Sequence, residues 1–186
     1  MKLDTHNKLS INTLFLHWLV GIMMIALLAT GIYMEENEVF ALYPWHKSFG
    51  VLIITFVLLR VYWRIKNGWL SPVSEYSTIE KKLSKIVHYT LIIGTVLMPI
   101  SGFIMSSAGG HGVSFFAIEL VARNPDPANI KEVIAHNAAI ADFAHGMHGI
   151  VGKVILFAVI LHVIGAFKHH IIDKDGTLRR MLGSQI

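Results

Sequence analysis

Two histidines, His148 and His162, stand 14 residues apart in a stretch that is otherwise mostly apolar. On an α-helix, 14 residues advance about 21 Å and return to within roughly 40° of the same face. One membrane-length helix would therefore point two imidazoles in the same direction, one towards each side of a bilayer. His17 and His46 lie on two other apolar segments and can supply a matching pair. Four neutral imidazoles inside a helical bundle are a ligand set for two stacked b-type haems, so the pattern predicts a transmembrane electron conductor.

The composition of the 186-residue chain favours a membrane protein. With 54% hydrophobic and 15% charged residues and a mean hydropathy of +0.57, the chain is too apolar for an ordinary soluble domain. Because it contains no cysteine, disulfides, thiolate-ligated haem, iron–sulfur clusters and covalently attached c-type haem are excluded. The net charge of +4 does not indicate a nucleic-acid partner, because the basic residues are distributed by membrane side.

Four apolar runs predict a single all-α domain over residues 1–186, an integral membrane four-helix bundle with spans at about 14–34, 45–63, 86–108 and 143–167. Each run is near the roughly 20 residues that a hydrocarbon core requires. The first run is longer than a signal-peptide core, so we expect it to be retained as a span. In the last connection, the sequence Asn124-Pro125-Asp126-Pro127 breaks the chain, and residues 128–142 are predicted to form an amphipathic helix that extends the fourth span outward.

The lysines and arginines predict how the spans are oriented. Twelve of the sixteen fall at the two termini and in or next to the middle loop: Lys2, Lys8, Arg60, Arg64, Lys66, Lys81, Lys82, Lys85, Lys168, Lys174, Arg179 and Arg180. The other four are Lys47, Arg123, Lys131 and Lys153. The positive-inside rule therefore predicts a multi-pass protein of a bacterial inner membrane with both termini in the cytoplasm.

This orientation pairs the four histidines by depth. His17 enters the first span from the cytoplasm, and His162 lies about as deep on the same side. His46 opens the second span from the outside, where His148 lies near the outer part of the fourth. The sequence thus predicts an inner His17–His162 pair and an outer His46–His148 pair, each holding the iron of one haem.

A small residue follows each of the four histidines at position i+4, on the same helix face: Gly21, Gly50, Gly152 and Ala166. A porphyrin is a broad plate, and a bulky neighbour at that position would collide with it, so these residues are predicted to line the haem sites. His145 competes with His148, because it is followed by Gly149. However, the 17 residues between His145 and His162 turn it roughly 100° away from that face.

Other histidines leave alternatives open. A histidine inside a membrane can simply hydrogen-bond between helices, which contributes about 1 kcal/mol. His88 begins the third span on the cytoplasmic side and fits either a proton-handling role or a structural one. His169 lies seven residues past His162, with Trp18 predicted nearby, and is a similar candidate.

Taken together, these residues resemble the bacterial cytochrome b561 family, small di-haem membrane proteins for which superoxide oxidase activity has been described. The resemblance covers nearly the whole chain: His17-Trp18, His46, His88 followed by Pro99, His148, His162, His169-His170, and the tail with Asp175, Leu178 and Arg179. The layout is also similar to the cytochrome b subunits of membrane formate dehydrogenases and hydrogenases, which share the 14-residue histidine spacing. The motif therefore identifies the superfamily rather than the reaction.

The family resemblance implies two haem b groups with the axial pairs given above. It also implies ubiquinone near the cytoplasmic haem, with His88, His169 and Trp18 as site candidates, and superoxide as the donor at the periplasmic haem. The Gly109-Gly110-His111-Gly112 segment and His136 of the outer loop depart from a simple match, which leaves the outer electron donor open.

Three functions follow as hypotheses. In the first, an enzyme oxidises superoxide outside and reduces quinone inside, with Lys47, Arg123 and Lys153 steering the anion; the same cations could instead pair with haem propionates or anchor lipids. In the second, the chain is a carrier subunit that accepts electrons from a separate periplasmic protein. In the third, it is a haem-free transporter or structural bundle. Beyond the lipid bilayer as a partner, the sequence leaves a homodimer as an open alternative.

Overall fold

In the computed structural model, which describes residues 3–186, the chain is a bundle of long helices with a small hairpin at one end. Lys2, which the orientation argument counts, lies outside the described residues. The elements in chain order are α1 (Ile11–Asn37), a 3-10 turn (Phe40–Leu42), α2 (Tyr43–Asn67), α3 (Thr78–Ala108), β1 (Val113–Phe115), β2 (Ile118–Val121), α4 (Ala138–Ile171) and α5 (Thr177–Met181).

Within the described residues, four helices are long and apolar enough to cross a membrane, namely α1, α2 with the 3-10 turn that precedes it, α3 and α4. This confirms the all-α fold class and the four spans. Each helix extends past the predicted apolar run at both ends except α3, which ends where its run ends, at Ala108. The orientation of the bundle relative to the membrane stays a prediction.

Three of the four long helices, α1, α3 and α4, begin after a residue whose side chain caps the helix. Ser10 accepts a hydrogen bond from the amide of Thr13 at the start of α1. Ser77 and Glu80 form a reciprocal capping box at the start of α3. Because the first amides of a helix have no partner within it, these side chains stabilise each helix start by about 1 kcal/mol.

The outer connection differs from the sequence prediction in two ways. The amphipathic helix predicted over residues 128–142 is wrong, because α4 begins only at Ala138, after an Asn137 cap. The preceding segment forms side-chain-bonded turns instead: the carboxylate of Asp126 accepts from the amide of Ala128, and the side chain of Asn129 accepts from the amide of Lys131. Such local bonds compete with helix formation. The antiparallel hairpin of β1 and β2 was not predicted.

An apolar layer fills the middle of the bundle. It consists of buried side chains from α1, α2 and α4: Val20, Met24, Leu28, Ile53, Val57, Val151 and Ile155. By contrast, the backbone of α4 packs closely along α3 and makes few close approaches to α1 and α2. The first two helices therefore meet α4 mainly through the side chains of this layer rather than through close backbone packing.

Candidate functional site

The outer histidine pair is positioned by three helices. The ring centres of His46 and His148 are 6.4 Å apart. The Nδ1 of His148 lies 3.0 Å from the backbone carbonyl of Met98 and 3.1 Å from the hydroxyl of Ser101, both on α3. Because a carbonyl only accepts, this contact places the proton of His148 on Nδ1 and leaves Nε2 free to bind a metal. The Nδ1 of His46 lies 3.4 Å from the hydroxyl of Thr30 on α1.

The inner site contains three histidines rather than two. The ring centres of His17 and His162 are 6.1 Å apart, and the His88 ring lies 5.1 Å from that of His162. The Nδ1 of His88 lies 2.6 Å from the carbonyl of Ser84, one turn earlier on α3. The Nε2 of His88 takes no part in that contact. The structure thus brings the predicted inner pair together and adds His88 beside it.

The separations of both pairs fit an iron held between two imidazoles. A metal–imidazole bond of about 2.0–2.1 Å, plus about 1.1 Å from the nitrogen to the ring centre, places two opposed rings about 6.3 Å apart. The inner and outer pairs, at 6.1 Å and 6.4 Å, match this distance. The His88–His162 separation of 5.1 Å is about 1 Å too short. The residues present therefore fit two bis-histidine haems better than any pairing that uses His88.

An arginine lies inside this inner group. A guanidinium nitrogen of Arg60 is 3.4 Å from the Nδ1 of His17, and among the described residues no carboxylate lies within salt-bridge distance of it. A guanidinium can only donate, so this contact requires an unprotonated Nδ1 on His17. Coordination of a metal through Nε2 requires the opposite tautomer. Arg60 must therefore find another acceptor when His17 binds a metal.

The glycines predicted to clear the porphyrin differ in their surroundings. A Cβ atom at Gly21 or Gly50 would meet nothing within 4 Å, whereas one at Gly152 would lie 3.1 Å from the Cε of Met98. Two further glycines lie beside the histidines of the outer pair. A Cβ at Gly102 would lie 2.9 Å from the Cε1 of His148, and one at Gly31 would lie 3.4 Å from the Cε1 of His46. The i+4 pattern could not identify them, because it concerns only residues on the histidine's own helix.

The outer cations hold the loop above the outer pair. The ammonium of Lys47 donates to the carbonyls of His111 and Gly112, and Arg123 donates to the carbonyl of Lys131. Burial, together with the charges of Lys47 and Arg123, lowers the pKa of the His111 imidazole, so a positive field surrounds this loop. Lys153 is exposed on α4, five residues beyond His148, and shares no contact with that cluster among the described residues.

His169 belongs to a polar network at the other end of α4. Its Nδ1 lies 2.7 Å from Asp173 and 3.7 Å from Asp175, and its ring packs at a tilt of 48° against that of Tyr76, with the ring centres 4.5 Å apart. The Tyr76 hydroxyl donates to Asp175, and the Lys168 ammonium pairs with Asp173 at 2.8 Å. The three ligand atoms of His169, Asp173 and Asp175 lie within 4.8 Å of one another, but Lys168 already supplies a positive charge there.

Ionisation in this network follows from its hydrogen bonds. The hydrogen bond from Lys168 lowers the pKa of the Asp173 carboxyl. Burial opposes ionisation of Asp175, but hydrogen bonds from Tyr76 and Thr177 outweigh it and lower the pKa of that carboxyl. Nearby, the indole of Trp18 donates to the carbonyl of Met181 at 2.9 Å, which ties α1 to the C-terminal segment.

Comparisons with known proteins agree with this architecture. A family model described as prokaryotic cytochrome b561 matches residues 9–184. The chain is 28% identical to cytochrome b561 homolog 2 of Escherichia coli (strain K12), over 97% of this chain and 94% of that protein. It is 24% identical to the probable superoxide oxidase CybB of Yersinia pestis, over 95% and 97% of the two chains. It is 23% identical to cytochrome b561 homolog 1 of E. coli (strain K12), also over 95% and 97%.

Proposed function

Because the chain belongs to the prokaryotic cytochrome b561 family, which comprises transmembrane electron-transfer proteins that bind b haems, we propose that it carries electrons between two haems. His17 and His162 hold one, and His46 and His148 hold the other. The observation that carries the proposal is the pair of ring separations, 6.1 Å and 6.4 Å, at two levels of the same helix α4. When bound, a b haem supplies an iron that accepts and returns one electron at a time.

The side chains around the outer pair prepare it for ligation. The Met98 carbonyl accepts the Nδ1 proton of His148, which fixes the ring orientation and raises the basicity of Nε2. The hydroxyl of Ser101 also donates to that carbonyl, at 2.9 Å. Because Met98 and Ser101 belong to the helix most closely packed on α4, the outer ligand is held by rigid structure rather than by a loop.

At the inner pair, Arg60 supplies the charge that a haem would need. A haem brings two carboxylates, and Arg60 is a cation at membrane depth without a carboxylate partner among the described residues. We propose that Arg60 pairs with a haem carboxylate, which releases His17 to carry its proton on Nδ1. Cations of this kind inside membranes are costly unless they are paired, so such a partner explains why an arginine lies there.

The apolar layer between the two sites excludes water. Val20, Ile53 and Ile155 are each fully buried at that level. A dry layer prevents protons from crossing the bundle with the electrons, so that the two ends of the protein carry out separate chemistry.

At the outer end, we propose superoxide as the donor. The relative from Yersinia pestis is named a probable superoxide oxidase, and Lys47 and Arg123 surround this end with positive charge that would attract a small anion. Loss of one electron converts superoxide to dioxygen, with no proton required. The alternative donor is a separate periplasmic redox protein docked on the hairpin of β1 and β2.

At the inner end, we propose ubiquinone as the acceptor, near His88, His169 and Trp18. Reduction of a quinone to a quinol consumes two electrons and two protons, so each turnover takes two superoxide ions. His88 lies beside the inner pair, and the network of Tyr76, His169 and Asp175 links titratable groups at the same end. Both can exchange protons with a bound quinone, and we place this end in the cytoplasm.

Single histidine variants test the haem assignment. His17→Ala or His162→Ala should remove one haem and leave the spectrum of the other largely unchanged, while His46→Ala or His148→Ala should do the reverse. The measurement is haem per chain together with the split b-haem absorption bands. A wild-type stoichiometry near one haem per chain would contradict the proposal, as would loss of haem in His88→Ala but not in His17→Ala.

The direction of transfer needs a kinetic test. Purified protein mixed with a superoxide source and a ubiquinone analogue should form quinol without any partner protein; failure would favour the carrier-subunit alternative. His88→Phe and His169→Phe variants should still be reduced by superoxide, but their reoxidation by quinone should slow at least severalfold. If both react with quinone at the wild-type rate while Lys153→Ala abolishes the reaction, the quinone binds outside and the direction is wrong.

A further inference from the structure

An apolar groove lies between α3 and α4, and none of the four paired histidines lines it. Its cavity volume is about 450 Å³, and its walls include Lys85, Tyr89, Ile93 and Leu97 from α3, and Val151 and Val154 from α4. We propose that this groove binds one acyl chain of an anionic phospholipid, with the phosphate of that lipid at Lys85.

The dimensions of the groove match one leaflet. From Lys85 to Leu97, α3 advances 12 residues, or about 18 Å. Half of a bilayer's hydrocarbon core is about 15 Å thick. The groove therefore runs from the end of the span to about the middle of the membrane, which is the extent of a single acyl chain. The exposed side chains of Ile93 and Val154 leave its opening accessible to lipid.

Charge complementarity favours an anionic headgroup. Lys85 is exposed at the end of the groove nearest the start of α3, and among the described residues no carboxylate lies within salt-bridge distance of its ammonium. Lys82, one turn earlier, is likewise exposed, whereas Lys81 is already paired with Glu75 at 3.0 Å. Basic residues at the cytoplasmic end of a groove between transmembrane helices are typical of sites for acidic lipid headgroups.

Two aromatic rings mark the level of the headgroup. Trp69 packs at a tilt of 57° against Tyr89, with the ring centres 4.6 Å apart, and both residues are about half exposed. Tryptophan and tyrosine favour the interface between hydrocarbon and headgroups. Tyr89 lines the groove one turn from Lys85, so the aromatic pair and the lysine lie where a glycerol and phosphate group would meet them.

The groove is not suited to the quinone of the proposed function. On α3 the stripe that lines the groove is centred roughly 145° around the helix from His88, since successive residues turn by about 100°. The deeper lining residues Ile93 and Leu97 therefore lie on the side of α3 that faces away from His88. A polyisoprenoid quinone also carries no charge to pair with Lys85. We therefore assign the groove to a phospholipid.

Native mass spectrometry of the haem-loaded protein tests this assignment. The protein is released from nanodiscs that contain equal amounts of phosphatidylglycerol and phosphatidylcholine. We expect one retained phosphatidylglycerol per chain, in clear excess over phosphatidylcholine. Lys85→Gln should reduce that preference about fivefold, which corresponds to the loss of one lysine near an anionic surface. Lys66→Gln, a charge-matched control at the cytoplasmic end of α2, should leave the preference unchanged.

Two bulky variants test the groove itself. Ile93→Trp and Val154→Trp fill it from opposite walls and should remove the retained lipid, whereas Ile22→Trp, at an exposed position of α1, should not. All variants should keep the wild-type haem bands. Equal retention of the two lipids, a retained mass equal to that of a quinone, an equal loss in Lys66→Gln, or lipid retention in both tryptophan variants of the groove would each overturn the proposal.

Discussion

Glycine 102 leaves the space that the ring of His148, the proposed outer haem ligand, needs, and a single methyl group there should disturb haem binding. A Cβ at this position would lie 2.9 Å from the Cε1 of His148 and 3.2 Å from its Nδ1. Carbon atoms in favourable contact are about 3.5–4.0 Å apart, so in Gly102→Ala the ring must move by about 0.6 Å. That movement stretches the 3.0 Å contact between Nδ1 and the Met98 carbonyl.

Two independent estimates of the cost agree. Adding a methyl group to a well-packed interior costs about 1–3 kcal/mol. Weakening the hydrogen bond that orients a metal-binding histidine lowers metal affinity about 10–100-fold, which is about 1.4–2.7 kcal/mol. We therefore expect Gly102→Ala to hold the outer haem about 10–100-fold more weakly, while the inner haem is retained.

The assay is transfer of haem from the membrane protein to an acceptor apoprotein, followed through the split b-haem bands. Gly31→Ala should have a smaller effect, because its Cβ would lie 3.4 Å from His46, at the edge of ordinary contact. Gly146→Ala on α4 is the control, since nothing lies within 4 Å of that position. Wild-type haem retention in Gly102→Ala, or a larger loss in Gly31→Ala, would refute the packing argument.

Three further variants probe the haem sites and the polar network of His169, Asp173 and Asp175. Gly50→Leu should lose the outer haem, because the open space beside that glycine is then filled; full haem stoichiometry would show that the i+4 clearance argument is wrong. Arg60→Gln removes a unit charge beside the inner pair. A unit charge is worth about 2 kcal/mol at a separation of about 8 Å and an effective dielectric constant of 20, so the inner midpoint potential should fall by up to about 90 mV in a redox titration. Arg64→Gln should change that potential much less, and equal shifts would contradict the pairing proposed for Arg60. The pKa of Asp175 is lowered in the folded chain, so its stabilisation is present above the unfolded pKa of about 3.9 and is lost as pH falls through the folded value. Asp175→Asn should therefore speed amide hydrogen exchange in residues 176–182 at pH 7 relative to wild type, with the difference vanishing in acid; an unchanged exchange rate at pH 7 would refute it.

Much of the fold could be predicted because a bilayer imposes one dominant requirement. Apolar runs of span length must become helices, since backbone groups in lipid have to be satisfied within the segment. The helix ends were harder to predict, because outside the hydrocarbon that requirement no longer applies. The first turns of α3 are polar, and Ser77 and Glu80 were the signal for its true start. The helix predicted before Ala138 failed because Asp126 and Asn129 bond their own neighbouring amides.

The candidate site likewise has a part that the sequence predicts and a part that it does not. Depth along a helix can be counted in residues, and that count sufficed to pair His17 with His162 and His46 with His148, the pairs that the structure brings within 6.4 Å. Contacts across helices depend on how each helix is rotated about its axis, which residue counting does not supply. Gly102 and the Met98 carbonyl belong to a helix that contributes no predicted ligand, so no spacing in the sequence could have identified them.

The proposed direction of electron flow depends on the residues around the two histidine pairs rather than on the paired histidines themselves. Both pairs consist of two histidines at nearly equal separation, so the ligand sets alone do not distinguish a donor end from an acceptor end. The ends differ in what lies beyond them. Lys47 and Arg123 surround the outer end with cations already bonded to backbone carbonyls, and such fixed charges attract anions without exchanging protons. The inner end has His88 together with Tyr76, His169 and Asp175. An anionic one-electron donor needs fixed positive charge, as at the outer end, and an acceptor that takes up protons needs titratable groups, as at the inner end. We therefore place superoxide outside and quinone inside.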